Sequence, residues 1–338
     1  MKILITGGGT GGHLAIARSL RDAAMKAGHE CSFVGSSAGQ DRSWFADDTA
    51  FTSVRFLNTS GVVNKRGLAK LASLFLSFKA MLQALPLVKK ADCVISVGGF
   101  SAAPASFAAV LLRRPYFIHE QNAAIGRLNR LLRPFSKAFF SSYEEESLVK
   151  DYPVRESFFE YAHIRHHVKT IIFLGGSQGA RYINELALKL APLLKEKGIK
   201  IIHQAGSLEL DKVIEEYKNL DIEAEVFAFR NDVDLLMKES DLAVSRSGAS
   251  TLWELCASAL PAVYIPYPYA AGDHQFYNAQ YLLEHNASYL ARQVEDPYSL
   301  VLGLLDKDLS EESHALQTLI KADGAKTLIT KVEECLHK

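Results

Sequence analysis

The sequence predicts an α/β protein built from two doubly wound parallel-sheet domains. Short apolar runs alternate with stretches of helical apolar spacing along nearly the whole chain. Two of those runs, Lys2-Ile3-Leu4-Ile5-Thr6 and Lys169-Thr170-Ile171-Ile172-Phe173-Leu174, lead into glycine-rich turns, Gly7 to His13 and Gly175 to Ala180, each followed by a helix pattern. At 338 residues the chain is long for one core, so two domains of ordinary size are expected.

In the first half, strands are expected near 2–6, 31–35, 52–56, 93–97, 115–119 and 137–140, with helices near 12–27, 67–89, 102–113 and 122–132. The second half repeats the alternation, with strands near 169–174, 200–204, 224–228, 241–245 and 261–265. Its helices are expected near 178–196, 208–218, 232–239, 248–259 and 273–285. Residues 150–168 break the pattern and read as the inter-domain connection, and the last forty residues read as helical. Ligands of doubly wound sheets sit at the carboxyl ends of the strands, so two such sheets facing across a cleft would gather every glycine turn there.

Composition is that of a globular chain, 48% apolar and 22% charged. The 38 basic and 38 acidic residues cancel, which gives no support for nucleic acid as a partner. Cys31, Cys93, Cys256 and Cys335 form no CxxC pair and read as buried free thiols of a reducing compartment. The N-terminus opens directly into a strand, with no signal-peptide pattern. No stretch approaches 18 uninterrupted apolar residues, so no membrane-spanning helix is expected.

Strand, glycine turn and helix together present backbone N–H groups and a positive helix end to a phosphate. The first turn lacks dinucleotide-fingerprint spacing, an acid at the end of the second strand, and the Lys-Ser/Thr of a P-loop. His13 stands at a helix start, where imidazole stays neutral; it reads either as a general base or as a polar helix-start residue. His119-Glu120-Gln121-Asn122 places four polar side chains at a strand's end, with Asn122 also a candidate N-cap. Ser245 to Glu254 supplies another helix start suited to a diphosphate. Glu254 there is either a ribose ligand or an ordinary first-turn acid.

Other patterns weigh less. Asp232-Val233-Asp234 matches a metal pattern but opens an amphipathic helix, and His163, His166 and His167 lie in the connection as solvated groups. Gly175-x-Ser177-x-Gly179 spells a nucleophile elbow, yet nothing supplies its triad partners. Residues 62–90 carry Leu71, Leu74, Phe75 and Phe78 on one stripe, with Lys65, Arg66, Lys70 and Lys79 nearby. Such a basic amphipathic helix either lies in an anionic membrane interface or packs on the sheet.

The set Gly8-Gly9-Thr10-Gly11-Gly12-His13, Gly98-Gly99-Phe100, His119-Glu120-Gln121-Asn122, Gly175 to Ala180, Ser245-Arg246-Ser247-Gly248-Ala249 and Asp273-His274-Gln275 closely resembles the MurG-type glycosyltransferases of bacterial peptidoglycan synthesis, in their order and over almost the whole chain. The resemblance implies the GT-B fold and transfer of GlcNAc from UDP-GlcNAc to the muramyl-pentapeptide on undecaprenyl diphosphate, lipid I to lipid II. It implies an acceptor- and membrane-side domain over 1–155, a donor domain over 156–320, and a last helix over 321–338 packing back on the first domain. It also implies peripheral attachment to the cytoplasmic face of the inner membrane, with no cofactor, metal or nucleic acid.

Residue by residue, the resemblance puts Ser177 and Gln178 at the UDP diphosphate and Glu254 at the ribose. It puts Ala249, Ser250 and Gln275 in the sugar-nucleotide pocket, the backbone of Arg230 at the uracil, and Arg155 at the nucleotide. Thr10, Gly11, Gly12 and Asn122 would reach the GlcNAc or the acceptor, with His13 and Glu120 near the reacting groups as catalytic candidates. The chain departs from the family where Leu14-Ala15-Ile16-Ala17 follow His13 without the usual intervening proline segment, and where Asp151-Tyr152 precede Pro153. The remaining alternatives are another GT-B UDP-sugar transferase with a different acceptor, and a non-catalytic UDP-sugar-binding protein.

Overall fold

The computed structural model describes residues 1–59, 61, 67–176 and 179–337. It divides into two compact units, Met1–Val154 with Asp323–Lys338, and Arg155–Ala322. Each unit holds a six-stranded, all-parallel sheet with helices around it, as the alternation requires.

In the first unit the elements run β1 (Lys2–Thr6), α1 (Gly11–Lys26), β2 (Glu30–Ser36), α2 (Asp41–Phe45), β3 (Ser53–Leu57), α3 (Gly67–Lys90), β4 (Cys93–Ser96), α4 (Ala103–Leu111), β5 (Tyr116–Glu120), α5 (Arg127–Leu132) and β6 (Ala138–Ser141). The strand order is β3-β2-β1-β4-β5-β6, so the order reverses between β1 and β4. The turn after β1 and Gly98-Gly99 after β4 therefore share the crevice where such sheets bind ligands. Val94, Ile95, Phe117 and Ile118 are fully buried, which is why these strands read as unbroken apolar runs rather than alternating ones.

Two local readings change. The helix expected from residue 122 begins only at Arg127, with Gly126 as its N-cap, so Asn122 lies in a loop and caps nothing. The short α2 carries no helical periodicity long enough to be seen in sequence.

The second unit runs α6 (Glu156–Glu160), β7 (Thr170–Leu174), α7 (Arg181–Glu196), β8 (Lys200–Gln204), α8 (Leu210–Asn219), β9 (Glu225–Phe227), α9 (Val233–Lys238), β10 (Leu242–Ser245), α10 (Ala249–Ala257), β11 (Ala262–Tyr264), α11 (His274–Glu284), β12 (Tyr289–Leu290), α12 (Pro297–Leu304) and α13 (Ser310–Leu319). Its order, β12-β11-β10-β7-β8-β9, repeats the first. The reversal falls between β7 and β10, whose outgoing turns are Gly175-Gly176 and Arg246-Ser247-Gly248. α6 and β12 had no counterpart in the sequence reading, and both are five residues or shorter. The last helix, α14 (Gly324–His337), belongs to the first unit, where it packs on α1 and His29 Nε2 lies 2.6 Å from Glu333.

α3 is the one described helix, over Ala72–Lys90, with the length and mean hydropathy (1.2) of a bilayer crossing. The sequence expectation of none rested on uninterrupted apolar runs, which Ser77, Lys79 and Gln83 break. Ala80, Ala84 and Val88, spaced four apart, form its core-facing stripe against the sheet and α4. Its outer face leaves Leu74 at 47%, Phe75 at 68%, Phe78 at 55% and Leu82 at 47% exposure.

The connection into the second unit is pinned by Arg165, only 1% exposed. Its guanidinium donates to the carbonyls of His163, Met237 (3.0 Å), Ser240 (3.2 Å) and Ser258, closing the C-terminal ends of α9 and α10. Burial lowers its pKa to about 10, still charged at neutral pH. Arg165→Met would strip the Ser240 and Ser258 carbonyls of this donor and leave the Met237 and His163 carbonyls only Ser240 N and Ser313 Oγ, and a loss of about 2 kcal/mol or more in urea unfolding of the full chain is expected. A change within 0.5 kcal/mol would show that water replaces the guanidinium.

Candidate active site

The carboxyl ends of β1, β4 and β5 converge on His13. Thr10 is the N-cap of α1 in extended conformation, and its hydroxyl lies 2.9 Å from His13 Nδ1 instead of capping the helix. Gln121 Nε2 stands 2.9 Å from His13 Nε2. With the Gln121 amide donating, Nε2 carries the lone pair and Nδ1–H faces Thr10, the tautomer of a base directed by Nε2. A β-carbon at Gly98 would sit 3.3 Å from His13 Nε2, so the turn after β4 closes the third side. The Gly8 N–H donates to Gly98 O at 3.1 Å, and a β-carbon on Gly99, at φ +81°, would fall 2.1 Å from Gly8 O. These two turns are interlocked, and only glycine permits it.

Glu120, 2% exposed, occupies a different position. Its carboxylate accepts from Asn122 N (3.0 Å), Gly126 N (2.9 Å) and Asn129 Nδ2 (2.9 Å). Those bonds hold the 121–126 loop, which the sequence had read as a helix start. His119 is buried edge-on to Tyr152, and desolvation, with His13 nearby, lowers its pKa to about 3. It stays neutral at any working pH. Buried polar atoms without hydrogen-bond partners collect here: His119 Nδ1, Gln121 Oε1 and Asn129 Oδ1. Such groups in one place indicate a water or ligand position.

In the second unit Gly248 is the N-cap of α10 and offers no side-chain cap, leaving the first-turn N–H groups of Ala249 and Ser250 to other acceptors. Ser247 Oγ is buried and without a hydrogen-bond partner beside them. Glu254 lies one turn further on. Burial raises its pKa to about 7, against the lowering influence of Arg155, with Asp234 adding to the rise. Arg155 reaches Asn231 O at 3.4 Å and Asp234 at 3.7 Å, so the turn that follows Arg230 lies beside it. Arg230 itself pairs with Asp232 and Glu225. Gln275 Oε1 accepts from Tyr267 N at 2.9 Å, and Asn278, one turn later on α11, donates to Ser247 O at 3.2 Å.

Thus Thr10, Gly11, Gly12 and His13 share α1's start, the Arg155 charge acts on Glu254, and Ala249 and Ser250 share α10's start. Ser177 and Gln178 lie outside the described residues. Asp232 and Asp234 each face an arginine, while His166 pairs with Asp308 at the surface. Sequence reasoning passed over Gln121, which stood within a quoted motif, and Ser247, likewise quoted but unassigned. It missed Asp41 altogether, since an acid opening a short helix carries no signal.

The glycosyltransferase family 28 N-terminal domain matches residues 3–141 and the family 28 C-terminal domain residues 170–332. A relative from Sulfurovum sp. (strain NBC37-1) is 52% identical over 97% of both chains, and one from Wolinella succinogenes is 51% identical over 96% of this chain and 97% of its own. Both bear the name UDP-N-acetylglucosamine--N-acetylmuramyl-(pentapeptide) pyrophosphoryl-undecaprenol N-acetylglucosamine transferase. Among solved structures, Acinetobacter baumannii MurG aligns with a TM-score of 0.77 at 26% identity, covering 98% of this chain and 99% of that one. A UDP-GlcNAc 2-epimerase from Neisseria meningitidis, at TM-score 0.63 and 12% identity over 99% of this chain and 100% of its own, shares the fold alone.

Proposed function

The chain belongs to the MurG-type transferases of glycosyltransferase family 28, and from that premise we infer that it moves GlcNAc from UDP-GlcNAc to the muramyl-pentapeptide on undecaprenyl diphosphate, converting lipid I to lipid II. The observation that carries this is near-full-length identity with transferases of that name.

The site residues fit the roles this requires. On the donor unit, the uncapped start of α10 and the Gly175-Gly176 turn present N–H groups to the diphosphate, and Glu254 accepts from the ribose hydroxyls. Arg155 stands beside Glu254 as a nucleotide contact. On the acceptor unit, the C4 hydroxyl replaces the Gln121 amide at His13 Nε2, which takes its proton. That oxygen bonds to the anomeric carbon as the bond to UDP breaks, inverting the centre. The electron pair leaves on the diphosphate, where helix-end N–H groups stabilise the charge. Glu120 is the weaker base candidate because three donors already occupy its carboxylate; it positions the loop bearing Gln121 and Asn122.

The test is UDP release coupled to a lipid I analogue, with and without chelator. Release that requires both substrates and survives chelation is expected. Binding of UDP-GlcNAc with no release would sink the transferase reading, and loss on chelation would return Asp232 and Asp234 to consideration.

The exposed apolar face of α3 supports peripheral attachment to the cytoplasmic face of the inner membrane, with Lys79 on the same helix. Within 62–90, residues 62–66 lie outside the described residues. Phe75→Ser/Phe78→Ser is expected to cut binding to anionic vesicles at least tenfold in a sedimentation assay, since each exposed ring would contribute about 1.5–3 kcal/mol on entering the lipid. Unchanged sedimentation would place the attachment elsewhere.

A further inference from the structure

Asp41, the first residue of α2, is fully buried. Its Oδ1 accepts from Gly9 N at 2.5 Å and its Oδ2 from Ser36 N at 2.7 Å. The carboxylate fills space that two missing side chains leave: a β-carbon on Gly8 would meet Oδ1 at 2.6 Å, and one on Gly35 would meet Oδ2 at 2.7 Å. The 35–41 loop also wraps closely, since a β-carbon on Gly39 would lie 2.9 Å from Gly9 O. Its compensation comes from two backbone amides and the Ser101 hydroxyl, and among the described residues it makes no salt bridge. Burial therefore raises its pKa, and the Ser36 and Gly9 amides oppose the rise.

A buried carboxylate with two amides and one hydroxyl for compensation is costly once an amide leaves. Turning the Gly9 N–H outward would strand the charge, so the inward conformation of the first glycine turn is the stable one. Gly9 is then spent on Asp41, and the donors left for a ligand begin at Thr10, whose hydroxyl orients His13. The corresponding acid after β8 acts differently: Glu209 accepts from Asn184 Nδ2 of α7 at 2.7 Å.

We propose that Asp41 is a positioning residue of the acceptor site, its carboxylate holding the first glycine turn from behind so that Thr10 and His13 are presented in working geometry. This rests on the acceptor-side reading of that turn. The test compares Asp41→Asn and Asp41→Ala in the full chain, measuring kcat and KM for a lipid I analogue together with the Kd of UDP-GlcNAc. Asparagine keeps the Gly9 bond but sets an NH2 against the Ser36 N–H. A loss of about tenfold in kcat/KM for the acceptor is expected with Asn and on the order of 10²-fold with Ala, the scale of an ångström misplacement. The Kd of UDP-GlcNAc should stay within about twofold. Folded variants with wild-type acceptor kinetics, or with donor affinity lost in equal measure, would overturn the proposal. Amide exchange in the wild-type protein gives a reading that does not depend on the variants folding: Gly9 N–H must be protected, and fast exchange there also overturns it. A wild-type protein that fails to turn over the acceptor would instead remove the transferase reading, and this role with it.

Discussion

His13→Ala is expected to lower turnover of UDP-GlcNAc and a lipid I analogue by about 10²–10⁴-fold, the usual contribution of a positioned general base. Donor affinity, measured calorimetrically, should be unchanged, because the donor contacts proposed above lie on the second unit. The expectation follows from where the two nitrogens point. Nδ1 is held by Thr10 and Nε2 faces the Gln121 amide, so the ring is oriented before any ligand arrives. Glu120→Gln is the informative contrast. An amide there can still accept from one or two of its three donors, so the loop is weakened rather than the base removed. A His13→Ala enzyme with undiminished turnover would end the base assignment and return Glu120 to first place.

The second large effect concerns Glu254. Glu254→Gln is expected to raise the KM for UDP-GlcNAc about 10–100-fold, since hydrogen bonds to a charged acceptor contribute about 1.5–3 kcal/mol. The same residue sets a pH dependence with two opposite signs. Its folded pKa, about 7, lies above the ordinary carboxyl value of 4.5. Only the ionised form accepts from both ribose hydroxyls, so donor KM in the wild-type enzyme should climb as pH falls below about 7. Stability of the ligand-free protein runs the other way. The partly buried charge destabilises the fold above about pH 7, and the penalty is relieved as pH falls from there toward 4.5. Glu254→Gln should therefore stabilise the free protein by about 1–3 kcal/mol at pH 8 and by nothing near pH 4. Urea titrations at the two pH values check it, and an equal gain at both would show the carboxyl is not buried as a charge.

Much of this site was legible because phosphate binding by α/β sheets uses backbone, and backbone exposure leaves glycines in the sequence. Gly7 to Gly12, Gly98-Gly99 and Gly175-Gly176 mark both switch points, and the polar run from His119 to Asn122 marks a strand end. What failed was local reach. Asn122 looked like a helix N-cap, but Glu120 bonds the amides of Asn122 and Gly126, and the helix waits until Arg127. Glu120 looked like chemistry, and the structure adds three donors to its carboxylate that the sequence did not show.

The order of apolar runs and glycine turns by itself determined two doubly wound sheets, their switch points and, through joint motif order, the family. Periodicity and composition act over a few residues, and the parallel sheet is a sum of such local choices. Only the tertiary structure decided what each acid does. Asp41, Glu120 and Glu254 are alike in sequence, yet one is buried under a glycine turn, one is saturated by a loop, and one stands by an arginine with its pKa raised to about 7. A carboxylate's role depends on its solvation and its donors. The donors come from residues 5 and 32 positions away for Asp41, and the arginine charge that acts on Glu254 lies 99 positions away.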